Sequence, residues 1–241
     1  MCGRYFQQRG PAAVAAYFEA ANPTPNLEPN WNRAPTQDGL VLRRHPESGA
    51  RHLDALRWGL VPRWAKDPSV GSRMINARSE SLAEKPAFRE AFARRRCVVA
   101  ADGFYEWKAE GKAKQPYAVA MADGSPMALA GLWEGWRGPG GEVLRTFTIV
   151  TGEANAKLAP MHHRMPVVLA RESWPAWLGE AEADEAELRA LLRPCPPEWL
   201  AAWPVSPRVN KVAENGPALL ARDPMAQALP GLDDPPPAFG G

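Results

Sequence analysis

The sequence predicts an α+β fold: a single domain whose mostly antiparallel β-sheet curls into a barrel-like core with flanking helices. Three observations lead there. Strand-like apolar runs crowd the middle of the chain, between residues 97 and 151, while helical patterns are short and lie at the flanks. The 26 prolines among 241 residues interrupt every long helical pattern. A composition 45% hydrophobic and 23% charged, with no internal repeat and no evident linker, suits one unit with a substantial core. The domain is expected over residues 1–228. The remainder, 229–241, ending "DDPPPAFGG", is expected to be a disordered tail.

The elements follow in chain order. "GPAAVAAYFEAAN" (10–22) reads as a short helix with Pro11 in its first turn. "PNLEPNWNRAPTQ" (25–37) reads as loop, and "GLVLRR" (39–44) and "LDALRWGLV" (53–61) as strands. "PRWAKDPSVGSRMINARSE" (62–80) is long and irregular, a composition that usually marks a functional loop. "SLAEKPAFREAFARRR" (81–96) reads as helix, with Ser81 and Glu84 as a capping box and Pro86 splitting it. "CVVAADGFYEWK" (97–108) reads as strand, Asp-Gly turn, strand. "PYAVAMA", "MALAGLWEGW" and "LRTFTIVT" continue it as a β-meander. "EAEADEAELRALLRP" (180–194) is a helix with acid at its start and Arg at its end, as the helix dipole favours.

Three widely spaced cysteines, Cys2, Cys97 and Cys195, give neither a disulfide framework nor a CxxC signature. With only four histidines besides, no structural zinc site and no other metal site or cofactor is expected. No apolar run reaches the length of a membrane span, and "MCGRYFQQRG" has no signal-peptide core. A cytoplasmic, reducing location without membrane contact is therefore expected, with the protein a monomer. Net charge is +2 but uneven: residues 1–120 carry 19 Lys and Arg against 12 Asp and Glu, and the rest 10 against 15. A basic half suits phosphates, although folding can redistribute it over the surface.

Four stretches carry polar residues in apolar surroundings. In "MCGRY", removal of Met1 would leave Cys2 with an α-amine, pKa near ~8, and a thiol near ~8.5 on adjacent carbons. Such a 1,2-aminothiol condenses with aldehydes, first through nitrogen as an imine, then through sulfur as a thiazolidine. The second stretch is "INARSE" (75–80). In "ADGFYEWK" (101–108), Glu106 lies between Tyr105 and Trp107. A carboxylate among aromatics is the usual general acid; strand alternation equally allows Glu106 to face solvent. In "MHHRMP" (161–166), His162 and His163 stand side by side, either as proton carriers or as a surface pair in a turn.

Together these stretches resemble the SOS-response-associated peptidase (SRAP) family, proteins that crosslink themselves to abasic sites in single-stranded DNA. The resemblance runs from residue 2 to about residue 225. It rests on "MCGRY", "WNRAPTQ", "RWGLVPRWAKD", "INARSE", "RRRCVVAADGFYEW", "TGEAN", "HHRMPVVL" and "VNKVAENGP", in that order. It implies Cys2 as nucleophile, Asn76 as the amide that holds the N-terminus, Glu106 as the acid and His162 as the histidine. The family form His-x-Arg-Met-Pro selects His162 and leaves His163 at the variable position. Gly216 of "VAENGP" departs from the Asp more usual there, which bears on packing.

The implied reaction opens the sugar hemiacetal with a proton from Glu106, then captures the aldehyde with the amine and thiol of Cys2. The implied partner is single-stranded DNA containing an abasic site. Arg4 and Arg78 would contact flanking phosphates, and Trp64 and Trp107 would stack on bases; Asn32 and Thr151, inside family motifs, complete the DNA-binding set. The resemblance also implies a lyase-like handling of the abasic site and, from the family name, a peptidase activity removing what precedes Cys2, which either self-cleavage or a general aminopeptidase would accomplish. Two other readings stay open. An N-terminal-nucleophile glutamine amidotransferase also begins Met-Cys-Gly, and a noncatalytic single-stranded DNA-binding module would leave Cys2 incidental.

Overall fold

The computed structural model describes residues 2–111, 113–226 and 236. The tail expected at 229–241 lies outside them, apart from Pro236. In chain order the elements are β1 (Tyr5–Gln7), α1 (Pro11–Phe18), β2 (Asn30–Arg33), β3 (Asp38–Arg44), β4 (Arg51–Trp58), β5 (Asn76–Arg78), α2 (Arg89–Arg94), β6 (Arg96–Ala101), β7 (Gly103–Glu110) and β8 (Ala113–Met121). They continue with β9 (Met127–Arg137), β10 (Val143–Glu153), β11 (Arg164–Pro166), α3 (Trp174–Leu178), α4 (Glu185–Ala190) and β12 (Leu200–Pro204).

The strands form two sheets. The first is five-stranded, in the order β12-β8-β7-β1-β2. In the second, β10-β4-β3-β6-β9 close into a ring because β9 also pairs with β10, with β5 and β11 attached to β10. Closure removes two free edges. Most pairs are antiparallel; β10 runs parallel to β4 and β5. The long β10 serves all of them in succession: β9 over Val143–Ile149, β4 at Thr146–Phe147, β5 at Ile149–Thr151 and β11 at Thr151–Glu153.

Strand alternation divides the core. Leu40, Leu42, Val98, Ala100, Ala130 and Leu132 share a cluster with Val14 and Phe18 of α1 and Trp174 and Trp177 of α3. Their neighbours of opposite parity, Val41, Cys97, Val99 and Leu129, pack on Tyr5, Phe104, Tyr117 and Val119 of the five-stranded sheet. That sheet's other face buries Phe6, Tyr105, Ala118 and Trp203. Each large aliphatic or aromatic side chain buried in these clusters contributes roughly 1.5–3 kcal/mol. Among the described residues no helix is long and apolar enough to cross a membrane.

Several local expectations are corrected. Asp102-Gly103 is not a hairpin turn: β6 pairs with β3 and β9, and β7 with β1 and β8, so this corner carries the chain from one sheet to the other. Asp102 is buried there, ion-paired to Arg9 and accepting the amides of Gln8 (2.6 Å) and Arg9 (3.0 Å). A side chain at Gly103 would overlap the Val119 carbonyl and the Phe6 ring. The expected meander is two hairpins, β7–β8 and β9–β10, in different sheets. The helix expected over 81–96 shrinks to Arg89–Arg94, because Pro86 cannot extend it backwards, and Glu84 pairs with Arg189 instead of capping. The 180–194 helix is Glu185–Ala190, started by an Asp184–Glu187 capping box. The 25–37 loop contains β2, and the irregular 62–80 stretch contains β5.

Candidate functional site

Cys2 leads directly into β1, which lies between β2 and β7. Its side chain is fully buried, and its carbonyl accepts a 2.8 Å hydrogen bond from Asn76 Nδ2. Asn76 begins β5, held in place by pairing with β10 at Ile149. Its Oδ1 is buried without a hydrogen-bond partner among the described residues. The amide thus grips Cys2 with its donor and keeps its acceptor available. Burial, with a smaller push from the charge of Glu106, raises the Cys2 thiol pKa well above its ordinary value.

Glu106 is buried, so the alternative in which it faces solvent is excluded. The reason is that both faces of β7 are covered at this point. Tyr105 belongs to the cluster on one side of the sheet, and Phe104, of the same parity as Glu106, to the cluster that contains Cys2. Glu106 Oε1 accepts the Trp107 amide at 3.1 Å.

His162 is half-buried just before β11. Its Nδ1 lies 2.9 Å from the Arg164 amide and 3.2 Å from the Arg164 carbonyl, so the backbone of Arg164 fixes the ring. Burial lowers its pKa, against an opposing rise from the Glu106 charge. The His163 ring stacks on it, 4.3 Å between centroids. Glu106 therefore acts electrostatically on both Cys2 and His162, and the expected nucleophile, amide, acid and histidine converge from four separate chain segments.

The other expected residues fall into three groups. Arg78 is exposed on β5, two residues from Asn76, and no carboxylate lies within ion-pairing distance among the described residues. Trp107 is half-buried beside Glu106, its indole nitrogen donating to Asn210 Oδ1 at 2.7 Å. Trp64 is 65% exposed on the loop leading to β5. Arg4 is half-buried and donates to Asn32 Oδ1 (2.6 Å) and to the carbonyls of Val209 (2.9 Å) and Asn210 (3.3 Å). Asn32 is buried, with Nδ2 facing the carbonyls of Val209, Lys211 and Glu214, so it fastens the 209–214 segment beneath Arg4. Thr151 is fully buried between β5 and β11.

Two residues that sequence reasoning missed hold this arrangement together. Arg164 reaches both oxygens of Glu80 (3.1 and 2.9 Å) and the Thr151 carbonyl (2.6 Å). This fork ties the segment carrying Asn76 to the one carrying His162, across β10. Both residues sit inside quoted motifs, "INARSE" and "HHRMP", but nothing in their spacing shows that they meet. Among the described residues no group of three or more His, Cys, Asp or Glu could hold a metal ion.

A family model described as SOS response associated peptidase (SRAP) matches residues 1–212. The chain belongs to the SRAP family. Among curated relatives, abasic site processing protein YoqW of Bacillus subtilis is 38% identical over 223 residues, covering 91% of this chain and 99% of that protein. Abasic site processing protein HMCES of Gallus gallus is 36% identical over 222 residues, covering 80% of this chain and 66% of that one. Among solved structures, a protein from Bacteroides thetaiotaomicron superposes with a TM-score of 0.84 at 26% identity, covering 92% of this chain and 100% of that one. The SRAP fold thus carries over along most of the chain.

Proposed function

We propose that this SRAP protein processes abasic sites, capturing them covalently in single-stranded DNA as a thiazolidine formed by Cys2 once Met1 has been removed. The observation that carries the reading is the convergence of Asn76, Glu106 and His162 on Cys2, with the Asn76 amide 2.8 Å from the Cys2 carbonyl. The names of the relatives, abasic site processing proteins, point the same way. A general aminopeptidase suffices to remove Met1.

The steps balance as follows. Glu106 protonates the ring oxygen of the closed sugar, the C1′–O4′ bond breaks, and the C1′ hydroxyl gives up its proton to become the aldehyde. The Cys2 amine adds to C1′, and loss of one water leaves an imine. The thiol then adds across the C=N bond, sulfur to carbon and hydrogen to nitrogen, closing a five-membered ring. Sulfur adds after the imine forms, with the Glu106 carboxylate carrying the proton from sulfur to nitrogen. Asn76 holds the Cys2 backbone, and its open Oδ1 accepts from the attacking amine. His162 binds the freed sugar hydroxyl or shuttles protons. Positioning provides much of the acceleration, because amine, thiol and aldehyde are held together. Arg4 and Arg78 contact flanking phosphates and Trp64 and Trp107 stack on bases; Asn32 and Thr151 serve the strand by holding the frame.

Intact-mass measurement tests this. The mature protein should lack Met1 and, with an abasic oligonucleotide, gain the oligonucleotide mass less one water. A Cys2→Ala protein that still forms heat-stable adducts would refute the covalent reading, and release of ammonia from glutamine would favour the amidotransferase.

A further inference from the structure

A second feature lies outside the Cys2 site and shares no residue with it. A groove of about 480 Å³ is lined by Arg44 and His45 at the end of β3, by Arg94, Arg95 and Arg96 where α2 passes into β6, and by Trp133. No carboxylate lines it. Arg95 is paired with Glu134 (2.9 Å) and Glu90 (3.1 Å). Among the described residues, Arg44, Arg94 and Arg96 have no carboxylate within ion-pairing distance, and Glu90, which pairs with Arg95, also feels the charge of Arg94, so the groove carries net positive charge.

The groove is also built, not merely charged. Arg96 is fixed by donating Nε to the Trp177 carbonyl (2.7 Å) and Nη1 to those of Phe92 (2.8 Å) and Ala93 (2.9 Å). Its Nη2 faces Gly179 in the groove wall, 3.5 Å from where a Cβ there would stand. Arg95 Nε is buried without a partner among the described residues. With Arg96 held in this way, its Nη2 and the exposed guanidinium groups of Arg44 and Arg94 are the donors the groove offers to a phosphate oxygen.

Strand register places the groove relative to the site. Arg96 pairs with Leu132, Leu132 with Thr148, and the next residue of β10, Ile149, with Asn76. Three strand spacings, on the order of 14 Å along the curved sheet, separate the two. Strand alternation puts Arg96, like Val98, on the helix-covered side of the sheet and Asn76, paired with Ile149, on the side that holds Cys2, so a strand that reaches the groove from the lesion passes from one face of the sheet to the other.

We propose that this groove is a second phosphate-contacting surface, which takes the phosphodiester backbone of single-stranded DNA beyond the lesion. The inference deepens the reading of the chain as a DNA-binding protein but does not depend on covalent capture. Its test uses an undamaged oligonucleotide and the full chain. For single strands the log–log salt slope changes by about 0.7 per phosphate neutralised. The double variant Arg44→Gln/Arg94→Gln, both side chains exposed, should flatten the slope by about 1.4. Arg171→Gln/Arg189→Gln, the same charge change elsewhere on the surface, should leave it unchanged. An unchanged slope in the first double variant, or an equal loss in both, overturns the proposal. A titration with inorganic phosphate separates the sources: phosphate binding that the variant abolishes, with the DNA slope unmoved, makes this a free-anion site and also overturns it. Failure of adduct formation would leave these slopes measurable, so the two readings fail separately.

Discussion

Replacing Glu80 with Gln tests the fork that joins the Asn76 and His162 segments. Arg164 makes two charge-assisted hydrogen bonds to Glu80, at 3.1 and 2.9 Å. The two partners are unequally exposed, 10% for the Arg164 side chain and 50% for Glu80. A fully exposed pair would contribute about 0.2–1 kcal/mol, and stripping the partner from a fully buried charge would cost about 3–5 kcal/mol. Half-exposure of Glu80 puts this pair towards the lower figure, and Gln retains one acceptor. A loss of about 1 kcal/mol follows, or roughly 2–4 °C in Tm for a chain of this size. The pH dependence gives the sharper check. Burial pushes the Glu80 pKa up, but the Arg164 hydrogen bonds and charge, with backbone help, outweigh it and hold the carboxyl below its ordinary value. A carboxyl depressed in the folded state stabilises fully above its unfolded pKa, near ~4.3, and loses that contribution as pH falls through the native value. Thermal scans of both proteins at pH 7 and stepwise into acid should show the gap at neutrality and its closure below about pH 4.3. Equal Tm values at pH 7, or a gap that persists undiminished in acid, would refute the argument.

Four further outcomes are expected. Asn76→Ala should slow adduct formation by about five- to tenfold, since it removes the amide gripping Cys2, a bond of order 1–1.5 kcal/mol; a rate within twofold of the parent would contradict it. His162 should titrate below the ordinary ~6.5 because burial disfavours its charged form, so stability declines as pH drops from there and the unfolded chain takes up the proton first; an NMR midpoint above that value would show the sign to be wrong. Cys97, its thiol raised by burial, and Cys195, pushed up to about 12 by burial, should resist iodoacetamide at pH 8 in the native protein and react on unfolding. Gly103→Ala should cost about 1–3 kcal/mol by forcing a methyl into the Val119 carbonyl and the Phe6 ring; unfolding in urea with an unchanged midpoint would count against the tight corner.

Much of the candidate site is legible in the sequence. "MCGRY", "INARSE", "GFYEW" and "HHRMP" each hold one polar group out of keeping with its surroundings, and all four groups meet. Glu106 was the ambiguous one. Alternation along β7 decides which neighbours share its side, but not whether that side meets water or a second sheet. Asn32 and Thr151 illustrate the reverse: their motifs are plain in the sequence, while their burial beneath Arg4 and between β5 and β11 is not.

The sequence by itself determined the α+β class, the strand-rich middle, the positions of β3 and β4, and the chemistry available at Cys2, because period, propensity and functional groups are local properties. The tertiary structure alone decided that Asp102-Gly103 is a corner between sheets, that β9 closes on β10, that Glu80 meets Arg164 and that basic residues from β3, α2 and β6 share one groove. Those are pairings between residues far apart in the chain. Their energy comes from burying two surfaces at once, and no stretch of sequence contains both surfaces.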